Sequence, residues 1–159
     1  MGTVSTSRCC LNDAEIIRGI GKIEPVEHRL QLLPVNGKGV TVIDDAFNSN
    51  PQSSTIALDI LAGFSGKRII VTPGMVELGM EEERYNYEFG KHMAECADCI
   101  ILVGKKHTAP IQKALRDSGS KASCHVVNSL SEAIVIADRE SRAGDVILYE
   151  NDLPDNYDE

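Results

Sequence analysis

The feature that most constrains the fold is an alternation of helical segments with short apolar runs, which continues from residue 51 almost to the end of the chain. We predict helices at residues 51–64, 81–96, 109–118 and 131–139, and strands at residues 68–72, 100–104, 125–128 and 145–149. Strands that are apolar on both faces usually lie in a parallel sheet covered by helices. The pattern therefore predicts an α/β fold with a doubly wound, mostly parallel, Rossmann-like sheet.

The first fifty residues follow a different pattern. Isoleucines recur at helical spacing in residues 13–22, which predicts a short helix within a lead-in and linker of residues 1–27. Two β-prone runs follow at residues 29–34 and 40–45, joined by the turn-forming residues 36–39. We therefore expect an antiparallel hairpin at the start of the sheet.

Length and charge limit the class of protein. The 159 residues have the length of one domain, and 24 acidic residues against 16 basic ones give a net charge of -8, which argues against binding to nucleic acid. Five of the acids fall in residues 150–159, so we expect an acidic tail there. No apolar run approaches the roughly 18 residues that a membrane span needs.

The cysteines favour a reducing compartment. Their number is five, and the first thirty residues lack the pattern of a secretory signal, so we expect a cytoplasmic protein. Cys96 and Cys99 have the C-x-x-C spacing, but no second ligand pair completes a zinc site. We therefore predict no metal site, and interpret both cysteines as small core residues.

The most polar loop of the predicted sheet follows the second hairpin strand. It begins with Asp44 and Asp45 and continues through Asn48, Ser49 and Asn50 to a helix start. In open α/β sheets, ligands gather at the carboxyl ends of strands. Asp, Asn and Ser also cap helices without any further function, but two adjacent acids at the end of a buried strand are costly to desolvate. Function and capping both remain open for this loop.

Two further loops have a weaker signal. In residues 72–79, two glycines flank Glu77, and the alternative is a plain turn in which Met75 and Leu78 pack inward. Residues 104–107 contain two lysines and His107, which is typical of a solvated helix start. The chain has no phosphate loop, dinucleotide fingerprint or hydrolase elbow, and this argues against a self-contained nucleotide hydrolase or dehydrogenase.

Taken with their order, these motifs resemble a known family. Residues 28–30, the hairpin and residues 42–51 are similar to the start of the carboxyl-terminal domain of Mur ligases. The form D-D-x-[YF]-N-x-N-P is typical of the branch that adds D-alanyl-D-alanine, and residues 75–79 match the same branch. The resemblance extends to about Tyr149, so it implies that residues 1–159 are a single Mur ligase carboxyl-terminal domain.

The resemblance also implies roles for individual residues. Arg29 matches the arginine that reaches the phosphates of ATP, and is the expected catalytic residue. Asp45 matches the acid associated with the ribose, and Asn48 is expected on both the nucleotide side and the substrate side of the cleft. Asn50 and Glu77 are expected to bind substrate. A guanidinium suits phosphate oxygens, and a carboxylate can accept hydrogen bonds from ribose hydroxyls.

The implied reaction needs more than this chain. In the family, a central domain holds the phosphate loop and the Mg²⁺ ligands, and the carboxyl-terminal domain closes over it to complete the ATP site. The resemblance implies that ATP activates the carboxylate of a UDP-N-acetylmuramoyl tripeptide as an acyl phosphate, which D-alanyl-D-alanine then attacks. Arg29 would stabilise charge, and closure would exclude water. The domain alone is expected to be inactive.

The chain departs from the branch at two places: the first means that the role of the branch's histidine is not carried over, and the second leaves the acceptor dipeptide open. Asn86 stands where the branch often has a histidine, four residues before Gly90, and residues 149–157 differ from the usual G-S-R-type ending. A ligase with another acceptor, such as a cell-wall amidating or folyl-polyglutamate-type relative, is therefore an alternative. Another is a non-catalytic α/β module that binds a nucleotide or a peptide.

Overall fold

A computed structural model of the chain describes residues 26–152. The helix predicted at residues 13–22 and the end of the tail lie outside the described residues. The strands are β1 (Gln31–Leu33), β2 (Thr41–Asp45), β3 (Arg68–Thr72), β4 (Cys99–Val103), β5 (Ser123–Val127) and β6 (Val146–Glu150). The helices are α1 (Pro51–Ala62), α2 (Glu82–Cys96), α3 (Ala109–Asp117) and α4 (Leu130–Glu140), and a single 3-10 turn (Gly79–Glu81) precedes α2.

The sheet confirms the predicted fold class. Its strand order within residues 26–152 is β1-β2-β6-β3-β4-β5, and of these strands only β1 runs antiparallel to its neighbour, β2. All the other pairs are parallel. The carboxyl ends of β2, β6, β3 and β4 therefore share one edge, and this is the edge at which ligands bind in open α/β sheets.

Helices cover both faces of the sheet, as the apolar strands predicted. On one face α1, α2 and α3 pack on side chains such as Ile70 and Ile100, which are 0% exposed. On the other face α4 packs through Ala133 and Ala137 on a second cluster that includes Ile101. Alternate residues of a strand point to opposite faces, so neighbours such as Ile100 and Ile101 belong to different clusters.

The predicted boundary of the acidic tail was wrong at its first residue. Glu150 is the last residue of β6, pairs in register with Asp45 of β2, and is 0% exposed. Asn151 is also buried. The strand extends this far because β2 and β6 end together, and both residues belong to the body of the domain.

The two cysteines of the C-x-x-C pair are core residues, as predicted. Cys96 and Cys99 are 4% and 0% exposed. Burial raises the pKa of the Cys96 thiol to about 11, so the thiolate that would bind a metal is disfavoured.

Between residues 26 and 152, none of the helices has the length and apolar content that a membrane crossing requires.

Gly90 allows α2 to approach α3 closely, and this contact can be tested. A Cβ at Gly90 would lie 2.8 Å from the carbonyl oxygen of Ile111 and 2.9 Å from Cβ of Ala114. Overpacking costs about 1–3 kcal/mol, which exceeds the gain of up to ~1 kcal/mol in helix propensity. We expect Gly90→Ala to lower the free energy of unfolding by about 1–2 kcal/mol in urea denaturation.

The matched control is Gly37→Ala. An added Cβ at Gly37 meets nothing within 4 Å, so its stability should be unchanged or slightly raised. A Gly90→Ala variant as stable as the wild type would show that the two helices can separate without cost.

Candidate functional site

A small cleft lies beside the carboxyl end of β2 and has a volume of about 190 Å³. Its lining includes Arg29, Asp45, Asn48 and Asn50, four of the five residues that the sequence predicted for the site. Leu30, Phe47, Ser49 and Ser53 complete it. The structure therefore brings together side chains from the segment before β1, the end of β2 and the loop that leads to α1.

The two adjacent acids fold the segment that carries Arg29. The Leu30 N–H donates to Oδ1 of Asp45 at 2.9 Å, and Nδ1 of His28 lies 2.8 Å from Oδ2 of Asp44. His28 and Leu30 both have left-handed backbone angles, with φ of 58° and 48°. Such angles are unfavourable for these residue types, so the contacts with the two acids help to fix the turn that places Arg29 beside the cleft.

Arg29 stacks on an aromatic ring at the edge of the cleft. Its guanidinium carbon lies 4.4 Å from the centroid of the Phe47 ring, and both side chains are exposed. Stacking holds the guanidinium plane while its edge N–H donors remain available. Within residues 26–152, Arg29 makes no ion pair, so these donors are not occupied by a carboxylate of the described chain.

Asp45 is partly buried, and its environment acts on its pKa in both directions. Burial is the largest effect and raises the pKa, while the hydrogen bond from Leu30 and the charge of Arg29 lower it. The neighbouring Asp44 raises it further. The net shift is upward, so Asp45 is less acidic than an ordinary aspartate and would gain from a hydrogen-bonding or cationic partner in the cleft.

The two asparagines of the loop differ in how they are used. Oδ1 of Asn50 accepts the N–H groups of Gln52 and Ser53 at 3.0 Å, and the Asn50 N–H donates to Oγ of Ser53 in return. This capping box begins α1 and occupies Oδ1 of Asn50, so the side-chain NH₂ group is the part that a ligand could contact. Asn48 is exposed, and its side chain makes no hydrogen bond to any described residue.

Glu77 is not brought to this cleft. It is exposed, has a φ of 64° and is absent from the residues that line the cleft. Met75 is 2% exposed, and Leu78 packs against the same apolar cluster. The inward packing that the sequence left as an alternative for this loop is therefore confirmed, whereas a substrate role for Glu77 stays a prediction.

Asn86 holds the loop after β3 in place. This residue of α2 is 0% exposed; its Oδ1 accepts the Met75 N–H and its Nδ2 donates to the Met75 carbonyl, both at 2.8 Å. Asn86, which stands where the branch often has a histidine, thus satisfies both the N–H and the C=O of Met75.

Sequence reasoning missed a buried polar cluster beneath the cleft. The carboxyl group of Glu150 lies within hydrogen-bond distance of the hydroxyls of Ser49, Ser54 (2.7 Å) and Thr72 (3.1 Å). Asn151 accepts the Ser49 N–H at 3.0 Å and donates to the Gly74 carbonyl at 2.6 Å. The signal available in the sequence was an acid directly after an apolar strand, which composition led us to place in the tail.

A larger cavity, of about 460 Å³, lies between the starts of α2 and α3. It includes Lys106 and His107 from the basic segment that the sequence singled out. Nδ1 of His107 lies 2.6 Å from Oε1 of Glu82, so the imidazole is paired with a carboxyl group of α2. The part of the chain from residue 26 to residue 152 contains no group of three or more His, Cys, Asp or Glu that could hold a metal ion.

Comparison with known proteins identifies relatives of this chain. Residues 28–149 match the family described as "Mur ligase, glutamate ligase domain". The UDP-N-acetylmuramoylalanine–D-glutamate ligase of Acetivibrio thermocellus is 31% identical over 146 residues, which are 86% of this chain and 28% of that protein. The UDP-N-acetylmuramoyl-tripeptide–D-alanyl-D-alanine ligase of Escherichia coli (strain K12) is 32% identical over 93 residues, or 57% of this chain and 20% of that protein.

A solved structure supports the fold. The MurF ligase from Thermotoga maritima in complex with ADP has a TM-score of 0.68 and 19% identity, covering 86% of this chain and 32% of that one. The chain thus spans less than a third of the length of the two ligases that it matches in sequence. The family match and the shared sheet lead to one conclusion: the chain belongs to the Mur ligase family, as the carboxyl-terminal domain of such an enzyme.

Proposed function

We propose that this chain is the closing domain of an ATP-dependent amide ligase of peptidoglycan synthesis, which adds D-alanyl-D-alanine to a UDP-N-acetylmuramoyl tripeptide. The observation that carries the proposal is the cleft in which Arg29, Asp45 and Asn48 meet at the ligand-binding edge of the sheet. Its volume of about 190 Å³ is below the roughly 300–1,000 Å³ of complete ligand pockets. A half-site that another domain completes accounts for this size.

The residues of the cleft fit the phosphate oxygens and the ribose of a bound ATP. The stacked guanidinium of Arg29 offers N–H donors to phosphate oxygens, and Asp45 can accept hydrogen bonds from ribose hydroxyls. The bound nucleotide would supply the phosphoryl group that activates the carboxylate of the UDP-N-acetylmuramoyl tripeptide. The phosphate loop and the Mg²⁺ ligands would come from the central domain, because the sequence contains no phosphate loop.

In this role Arg29 acts by electrostatics alone. Its charge stabilises negative charge on the phosphoryl oxygens, and its stacking on Phe47 fixes the guanidinium before closure. Asn48 offers to the closed cleft a carboxamide that makes no hydrogen bond to a described residue, and the NH₂ group of Asn50 is assigned to the substrate. Closure of the two domains excludes water from the reacting groups.

Two observations support D-alanyl-D-alanine as the acceptor: the loop motif of residues 44–51 and the similarity to the D-alanyl-D-alanine ligase of E. coli. A second candidate, an amino acid acceptor, is favoured by the D-glutamate ligase of A. thermocellus, which matches a larger part of the chain. Glu77 is exposed on the loop after β3 and is available to an acceptor that carries a free amine.

An acceptor panel separates these proposals. The protein that joins this chain to its phosphate-loop domain would be given ATP and Mg²⁺ with one of two substrate sets. The first is UDP-N-acetylmuramoyl tripeptide with D-alanyl-D-alanine, and the second is UDP-N-acetylmuramoyl-L-alanine with D-glutamate or L-glutamate. We expect ADP release and a new amide product, identified by mass, with the dipeptide alone. Product with an amino acid alone would transfer the proposal to the second acceptor, and nucleotide binding without any product would favour a non-catalytic module. The 159-residue chain alone should show no turnover.

A further inference from the structure

The proposed function leaves the most buried carboxyl group of this region without a role. Glu150 is 0% exposed and lies at the end of β6, between the ends of β2 and β3. It makes no ion pair with any described residue; the groups that contact it are hydroxyls. An isolated buried carboxylate would carry a large desolvation cost, so its protonation state needs an explanation.

Counting protons gives that explanation. Oε1 of Glu150 contacts the hydroxyls of Ser49 and Ser54, which also contact each other at 2.5 Å, and Oε2 contacts the hydroxyl of Thr72 at 3.1 Å. These are four contacts between oxygen atoms, and each requires a proton. The three hydroxyls supply one proton each. When one serine donates to the other, its own contact with Oε1 lacks a proton, and the carboxyl group supplies it. All four contacts are therefore satisfied when Glu150 is protonated.

The same cluster joins the two loops that flank the candidate site. Ser49 belongs to the loop that carries Asn48, and its hydroxyl and N–H are held by Glu150 and Asn151. Asn151 also holds the Gly74 carbonyl, and the Gly74 N–H donates to Oγ1 of Thr72 at 3.1 Å. One residue pair at the end of β6 therefore fixes the loop after β2 and the loop after β3 together.

We propose that Glu150 is a positioning residue of the candidate site and that it acts as a neutral carboxylic acid, tying the loop of residues 46–50 to the loop of residues 73–78. It touches neither ligand directly. Its effect is to hold the rim of the cleft in the arrangement that a nucleotide and an acceptor would meet.

The electrostatic surroundings agree with a neutral acid. Burial raises the pKa of Glu150, the three hydroxyl hydrogen bonds lower it, and the charge of Asp45 on β2 raises it again. From α1 and β3, the groups that face it are the hydroxyls of Ser54 and Thr72. Because the folded pKa is raised, the associated stability is fully present below the unfolded pKa of about 4.3 and is lost as pH rises through the folded pKa.

The protonation state can be measured without any ligase activity. The infrared difference spectrum of the folded 159-residue chain, wild type minus Glu150→Gln, should show the C=O stretch of one neutral carboxylic acid near neutral pH. Carboxylate bands in its place would overturn the proposal. If the glutamine variant does not fold, the pH titration of the carboxyl carbon NMR shift of Glu150 in the wild type decides the same point.

The positioning role has a separate test in amide hydrogen exchange. In Glu150→Leu, exchange of the Ser49 and Gly74 amides should become about tenfold faster or more, relative to the core amide of Ile101. Glu150→Gln should restore slow exchange, because a carboxamide can both accept and donate. Glu95→Gln, the same change on an exposed residue of α2, should alter neither amide. Wild-type exchange at both amides in the leucine variant would overturn the positioning role.

The link to function rests on the proposed ligase and is tested apart from it. In the complete enzyme, Glu150→Leu should raise KM for ATP by about tenfold or more, and Glu150→Gln should leave it within about threefold of the wild type. A wild-type enzyme without ligase activity would refute the proposed function and leave the infrared and exchange results unaffected. An unchanged KM in an active leucine variant would refute the positioning of the nucleotide cleft.

Discussion

Replacing Arg29 with alanine is expected to lower kcat/KM of the complete ligase about 10²–10³-fold and to leave the fold intact. Removing one preorganised donor to a developing negative charge typically costs about 2.7–4 kcal/mol of transition-state stabilisation. Arg29 is exposed and stacks on the Phe47 ring, so the free energy of unfolding should change by less than about 1 kcal/mol. Steady-state kinetics and urea denaturation of the same variant measure both quantities.

Arg84→Ala is the matched control. Arg84 is also an exposed arginine stacked on an aromatic ring, with its guanidinium carbon 4.5 Å from the Tyr85 centroid, but it lies outside the cleft. Its activity should stay within about twofold of the wild type. Arg29→Lys should recover part of the lost activity, because a lysine keeps the charge and loses the planar donors. Equal activity losses in the two alanine variants would argue against a specific role for Arg29.

The second large effect concerns stability and is expected at Asn86. Asn86→Ala leaves the buried N–H and C=O groups of Met75 without their partners, at a cost of about 1–3 kcal/mol for each group, and also opens a small cavity. We expect the free energy of unfolding to fall by about 3–5 kcal/mol. That is a large share of the roughly 5–15 kcal/mol that stabilises a typical domain.

Asn48→Ala serves as the control, since Asn48 is exposed and makes no side-chain hydrogen bond within the described residues. Its stability should stay within about 0.5 kcal/mol of the wild type in the same denaturation experiment. The Asn86→Asp variant refines the test, because an aspartate can still accept the Met75 N–H but cannot donate from a carboxamide. If Asn86→Ala were as stable as Asn48→Ala, the loop after β3 would not depend on this side chain.

The fold was predictable because its pattern is periodic. The strand predicted at residues 68–72 coincides with β3, and the helix predicted at 81–96 differs from α2 by one residue. The strand order was not predictable, because β6 lies between β2 and β3 in the sheet. Local sequence patterns do not indicate the pairing of β2 with β6, which are about a hundred residues apart in the chain.

The site was predictable only in part. Asp44 and Asp45 were candidates as ligands, and the structure shows that both also fold the segment around Arg29, a role that depends on contacts 15 or 16 residues apart. Glu150 was assigned to a tail because the residues after it are acidic. Its hydroxyl partners come from three separate elements, so only the folded chain brings them together.

The central claim is that Arg29 and Asp45 form one half of a nucleotide site. A crystal structure of the complete ligase with a non-hydrolysable ATP analogue tests it most directly. We predict that the Arg29 guanidinium lies about 3 Å from phosphate oxygens of the analogue and that the Asp45 carboxylate faces its ribose hydroxyls. An analogue bound by the phosphate-loop domain in a closed enzyme, with Arg29 still stacked on Phe47 and remote from every phosphate, would contradict the account.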